Sequence, residues 1–97
     1  PATHLICLTL KGKAEGEVKY CAEVLSKRMT ESIGNAAIVS EACPAPLAKA
    51  KNFYRYQVIA RGRSVRAIST PLKTILGELN VPRTVAVAVD VDAIDLM

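Results

Sequence analysis

Basic and aromatic side chains interleave over residues 44–66 of this 97-residue chain: Lys49, Lys51, Phe53, Tyr54, Arg55, Tyr56, Arg61, Arg63 and Arg66. Ammonium and guanidinium groups neutralise phosphates, and rings stack on unpaired bases for roughly 1–3 kcal/mol each. The pattern therefore points to single-stranded nucleic acid as a ligand. Alternation along an extended segment sends Tyr54 and Tyr56 to one face, as core. Phe53, Arg55, Gln57 and Arg61 then share the opposite face, with Phe53 the ring left to stack. Arg61, Arg63 and Arg66 stand where a strand enters a helix, whose first amides can also receive a phosphate. The charge distribution agrees. Residues 42–77 hold seven basic side chains and no acidic one, whereas the remainder carries six basic and nine acidic side chains and nets −3. Such segregation makes a directional field whose natural partner is a polyanion.

Other chemistries find no support. The five glycines, at positions 12, 16, 34, 62 and 77, form no phosphate-cradling loop. His4 has no cysteine or carboxylate at ligand spacing. Asp90, Asp92 and Asp95 could receive a divalent cation, but three carboxylates at a strand end are more often solvated or paired with a base. Cys7, Cys21 and Cys43 fit neither a metal knuckle nor a redox pair, and their odd number argues against a disulfide framework. Each stands where a small apolar residue would serve. They are expected as buried free thiols, in a reducing, cytoplasmic compartment. No enzyme activity and no cofactor is expected of this stretch of chain.

The positioning elements follow from periodicity. Residues 3–10 are short, apolar and β-rich, and read as a strand. Val18, Cys21, Ala22, Leu25, Met29 and Ile33 recur at helical steps, with Glu15 and Glu17 at the positive end and Gly34-Asn35 as the stop. Residues 36–43 are a second strand, and residues 44–52 a long, proline-marked connecting loop. Residues 53–61 are the third strand. Ser64 caps a second helix whose stripe is Val65, Ile68, Leu72, Ile75, Leu76 and Leu79, with a kink at Pro71 or a restart at Thr70. Residues 84–91 alternate as the last strand, with Val85, Val87, Val89 and Val91 inward. The order predicts an α+β, ferredoxin-like β-α-β-β-α-β domain: a four-stranded antiparallel sheet with both helices on one face. Its other face would carry Leu5, Cys7, Ile59, Ala86 and Ala88, which is apolar enough to expect cover by a parent protein or partner.

Residues 1–97 make a single domain by length, and 51% hydrophobic with 23% charged residues excludes disorder. No apolar run reaches the ~20 residues of a membrane span. The opening Pro1-Ala2-Thr3-His4 lacks a basic leader. With no initiator methionine, either that residue was trimmed or the chain is a domain cut from a longer protein.

Three motifs carry a resemblance. Pro44-Ala45-Pro46-Leu47-Ala48-Lys49, Tyr54-Arg55-Tyr56-Gln57 and the terminal Val89-Asp90-Val91-Asp92 resemble the C-terminal domain of the primosomal protein N′ (PriA) family, the bacterial replication restart DNA helicases. The opening Pro1-Ala2-Thr3-His4-Leu5 resembles the segment leading into that domain. Cys43 stands where the family usually has glycine, and Ala93 where it favours proline. The resemblance implies an ATP-dependent 3′–5′ helicase parent, whose ATP, magnesium and zinc sites lie upstream. It also implies a C-terminal domain that is non-catalytic, contributes to DNA binding and packs on the helicase core. Single-strand-binding protein and other primosome proteins are the implied partners. Lys49, Arg55 and Gln57 match the family pattern, while Lys51, Arg61, Arg63 and Arg66 follow from charge alone. The rival expectation is a docking module that packs on the helicase core or recruits a replication partner, its basic charge incidental.

Overall fold

The helical period of the first amphipathic stretch folds as α1 (Glu15–Ile33), with Val18, Cys21, Ala22, Leu25, Met29 and Ile33 all buried. Gly34, at φ 61°, closes it by donating its N–H to the Thr30 carbonyl. The second stretch folds as α2 (Val65–Glu78), where Ser64 Oγ accepts the Ala67 N–H at 3.2 Å. No restart occurs at Thr70: α2 is one helix through Pro71. Proline inside a helix costs ~3 kcal/mol. Burial of Leu72 and Ile75 beyond it offsets that, at roughly 1.5–3 kcal/mol each.

This computed structural model describes residues 3–92. Its strands are β1 (His4–Gly12), β2 (Ala37–Val39), β3 (Cys43–Ala50), β4 (Phe53–Gly62) and β5 (Val85–Val91). The class is α+β, with two helices and one antiparallel sheet in which β2-β4-β1-β5 are neighbours and β3 also pairs with β4. Five strands stand where four were expected. Residues 36–43 are not one strand, because regular pairing stops at Val39 and resumes at Cys43. Ser40 spans the gap: its N–H donates to the Ile59 carbonyl at 2.8 Å and its Oγ accepts the Ile59 N–H at 2.9 Å.

Nor are residues 44–52 a loop. They are most of β3 plus a two-residue reversal at Lys51 and Asn52, whose φ values of 53° and 67° are those of a type I′ hairpin turn. Pro44 and Pro46 are tolerated because β3 is an edge strand, where a missing N–H leaves no ladder bond unmade.

Both helices pack on the sheet face that carries Ile6, Leu8 and Leu10 of β1, Tyr56, Val58 and Ala60 of β4, and Val85 of β5. Strand alternation thus sorts the core as expected across β1 and β4. It fails along β5. Val89 and Val91 are 44% and 47% exposed, since the helices pack on β1 and β4 and only marginally on β5. Of the three free thiols, Cys7 and Cys21 are buried and Cys43 is half-buried. Among the described residues no helix is long and apolar enough to cross a membrane.

Candidate nucleic-acid interface

Period-two geometry on β4 decides where the site residues go. Phe53, Arg55, Gln57, Ile59 and Arg61 occupy the face away from the helices, as expected. That row spans eight residue steps, or about 26 Å. Lys49 does not join it. It pairs with Tyr54 in register, and its ammonium lies 5.2 Å from the Tyr54 ring centroid, on the helix side. Lys51 is exposed at the hairpin tip, and Arg63 and Arg66 are exposed beyond the far end of β4. The expected set therefore falls into two groups. One gathers at the hairpin end with Phe53 and Arg55; the other gathers where β4 passes into α2.

At the hairpin end, β3 and β4 lose register. Pro44 pairs with Tyr56 and Lys49 with Tyr54, so Ala45, Pro46, Leu47 and Ala48 all stand opposite Arg55. This bulge brings the proline motif and the Tyr-Arg-Tyr-Gln strand together at one residue. Arg55 Nη1 is buried there with no hydrogen-bond partner. Across the sheet on the other side, Lys11 of β1 pairs with Arg55 in register. The Lys11 and Lys13 ammoniums lie 5.0 and 5.7 Å from the Phe53 ring centroid. Neither lysine was expected at the site. They precede it by some forty residues, and only the antiparallel register of β1 on β4 joins them to it.

Gln57 is partly committed to its neighbours. Its Oε1 accepts the Cys7 thiol at 3.7 Å, and its carbonyl accepts the Cys43 thiol at 3.8 Å. Burial pushes the Cys7 thiol above its ordinary pKa, with Asp90 and Cys43 adding to the rise against a lowering hydrogen bond from Thr9. At the other end, Arg61 and Arg63 line an open hollow of about 490 Å³ with Thr3, Asn35, Ala37 and Ile38. Ile38 is 75% exposed beside them. Asp92 is engaged by His4, whose Nδ1 lies 3.0 Å from Oδ1. Among the described residues no three His, Cys, Asp or Glu side chains gather as metal ligands. Asp95, Ala93, Pro1 and Ala2 lie outside the described residues.

The fold recurs in solved structures. A de novo designed protein, Foldit4, superposes with a TM-score of 0.65 at 18% identity, over 93% of this chain and 96% of that one. A hydantoinase/carbamoylase family amidase from Burkholderia ambifaria superposes with a TM-score of 0.56 at 12% identity, over 93% of this chain and 27% of that one. At such identities the likeness is one of fold alone. No curated protein matches the sequence. The family model of the primosomal protein N C-terminal domain matches residues 1–94, so nearly the whole chain, with the motifs that meet at Arg55, falls within it. The chain belongs to the primosomal protein N C-terminal domain family.

Proposed function

We propose that this chain is a non-catalytic, DNA-contacting C-terminal domain of a cytoplasmic replication restart helicase, and that it holds single-stranded or forked DNA. The carrying observation is the row Phe53, Arg55, Gln57 and Arg61 on the helix-free face of β4, with Lys51 beyond one end and Arg63 and Arg66 beyond the other. A polyanion lying along β4 would meet cations at both ends and no carboxylate from this strand. In this reading Lys49 contributes from the strand edge. The same reading treats β2 and β3 as two halves of one edge position, which reduces the connectivity to the ferredoxin-like plan. ATP, magnesium and zinc would belong to the parent helicase upstream.

A second reading draws on the apolar residues of that face. Leu5 and Ile59 are half-buried, and Ala86, Ala88 and Ile38 are exposed. Those residues suit docking on the helicase core or on a primosome partner such as single-strand-binding protein. Fluorescence anisotropy of the 97-residue chain with labelled single-stranded, duplex and forked DNA separates the readings. Measured at ~50 and ~200 mM salt, a DNA contact weakens with a log–log slope near −0.7 per phosphate on single strands and −0.9 on duplex. The variant K51E/R61E/R63E should abolish it. A folded chain that binds none of the three DNAs would leave the docking reading.

A further inference from the structure

We propose that Lys11, Lys13 and Arg55 form a phosphate cradle around Phe53 at the hairpin end of the sheet, a site that takes the nucleic-acid backbone without reading its bases. This rests on the reading of the domain as a nucleic-acid binder and deepens it. Lys11 and Arg55 are directly paired residues on one sheet face, an arrangement that is unfavourable for two like charges. Lys13 adds a third cation beside the same ring. None of the three forms an ion pair among the described residues; Glu15 and Glu17, which follow Lys13, are bonded to Tyr56 and Thr84 instead. The Arg28–Glu78 ion pair and the His4–Asp92 contact are both elsewhere, and the β5 partner of Lys11 is Ala86.

Arg55 Nη1 supplies the second, independent sign. A buried guanidinium nitrogen without an acceptor calls for an explanation; Nη1 has no exposed surface here, so a ligand oxygen reaches it only as the four-residue bulge opposite Arg55 gives way. Three cations and an unused donor at one place match an anion that brings several acceptor oxygens. A phosphodiester does so, with guanidinium taking two oxygens in its fork and the ammoniums acting as point charges. The Phe53 ring already holds two ammoniums within cation–π range. Its role is to gather the cations, and the base-stacking role expected for it gives way to that one.

The test uses the 97-residue chain, a labelled oligothymidylate and an abasic oligonucleotide of the same length. In K11Q/K13Q the salt slope should become shallower by about 1.4, two contacts at about 0.7 each on single strands. The fold-loss should be equal on the thymidylate and abasic ligands. F53L should weaken both ligands alike, whereas a stacking ring would lose only the base-bearing one. R55K, which keeps charge but lacks the fork, should weaken binding as well. Should a variant fail to fold, acetylation of the wild-type chain gives the same answer: bound abasic strand should shield Lys11 and Lys13. An unchanged slope in folded K11Q/K13Q, with wild type still binding DNA, overturns the cradle and leaves the broader reading standing. An aspartate-rich peptide that binds wild type and is lost in K11Q/K13Q, with DNA binding intact, overturns phosphate as the ligand. A folded wild type that binds no DNA overturns the cradle together with the reading beneath it.

Discussion

Tyr56 and two buried thiols make the stability of this domain fall on the alkaline side of neutrality. The Tyr56 hydroxyl donates to Glu15 Oε2 at 3.0 Å, and that bond, reinforced by burial and by the Glu15 charge, raises its pKa. Burial raises Cys7 and Cys21 too, with Glu17 adding to the rise at Cys21. In each case the unfolded chain sheds its proton first. Stability is therefore intact below the unfolded values and declines as pH rises, from about 8.5 for the thiols and about 10 for the phenol. Urea unfolding at pH 7, 9 and 10.5 should show both steps, and Y56F should remove the upper one. At this scale the sequence was legible wherever period two operates. The tyrosines divide from Phe53, Arg55 and Gln57 as alternation requires. Lys11 and Lys13 were not legible, since local pattern carries no information about which residues a distant strand brings alongside.

Between elements, conformation and close approach set the tolerances. Asn52 adopts φ 67°, a left-handed backbone that glycine enters without a β-carbon penalty. N52G should stabilise by ~0.5 kcal/mol and raise Tm by roughly 2–4 °C. Gly12 is the opposite case. A β-carbon there would lie 2.8 Å from the Thr84 carbonyl oxygen and 2.9 Å from Val18 Cγ2, so strand β1, helix α1 and the approach to β5 meet around a missing side chain. G12A should lower stability by about 1–3 kcal/mol, read as an earlier thermal transition. Both helices were legible because their apolar stripes, stops and the Ser64 cap are local signals. Strand β3 was hidden by its own residues: Pro44 and Pro46 read as loop, and a Lys51-Asn52 turn lacks the glycine that announces a hairpin.

Across the whole molecule, the two basic groups lie about 26 Å apart along β4, too far for direct coupling. Losses from K11Q/K13Q and from R61Q/R63Q should then add in the combined variant to within about 0.3–0.5 kcal/mol, measured as binding free energies at fixed salt. Strong departure from additivity would mean that the ends move together. The sheet is also asymmetric at its margins. On one side β2 has three residues and β3 carries two prolines and a bulge, so that margin cannot template a further strand. On the other, β5 offers seven uninterrupted residues with Val89 and Val91 uncovered. A chain with a single adhesive margin cannot polymerise through its sheet. Two copies joined antiparallel along β5 would consume the one open margin that the described residues of each present, so concentrating the isolated domain should yield pairs and not fibres, and V89K should keep it monomeric in sedimentation.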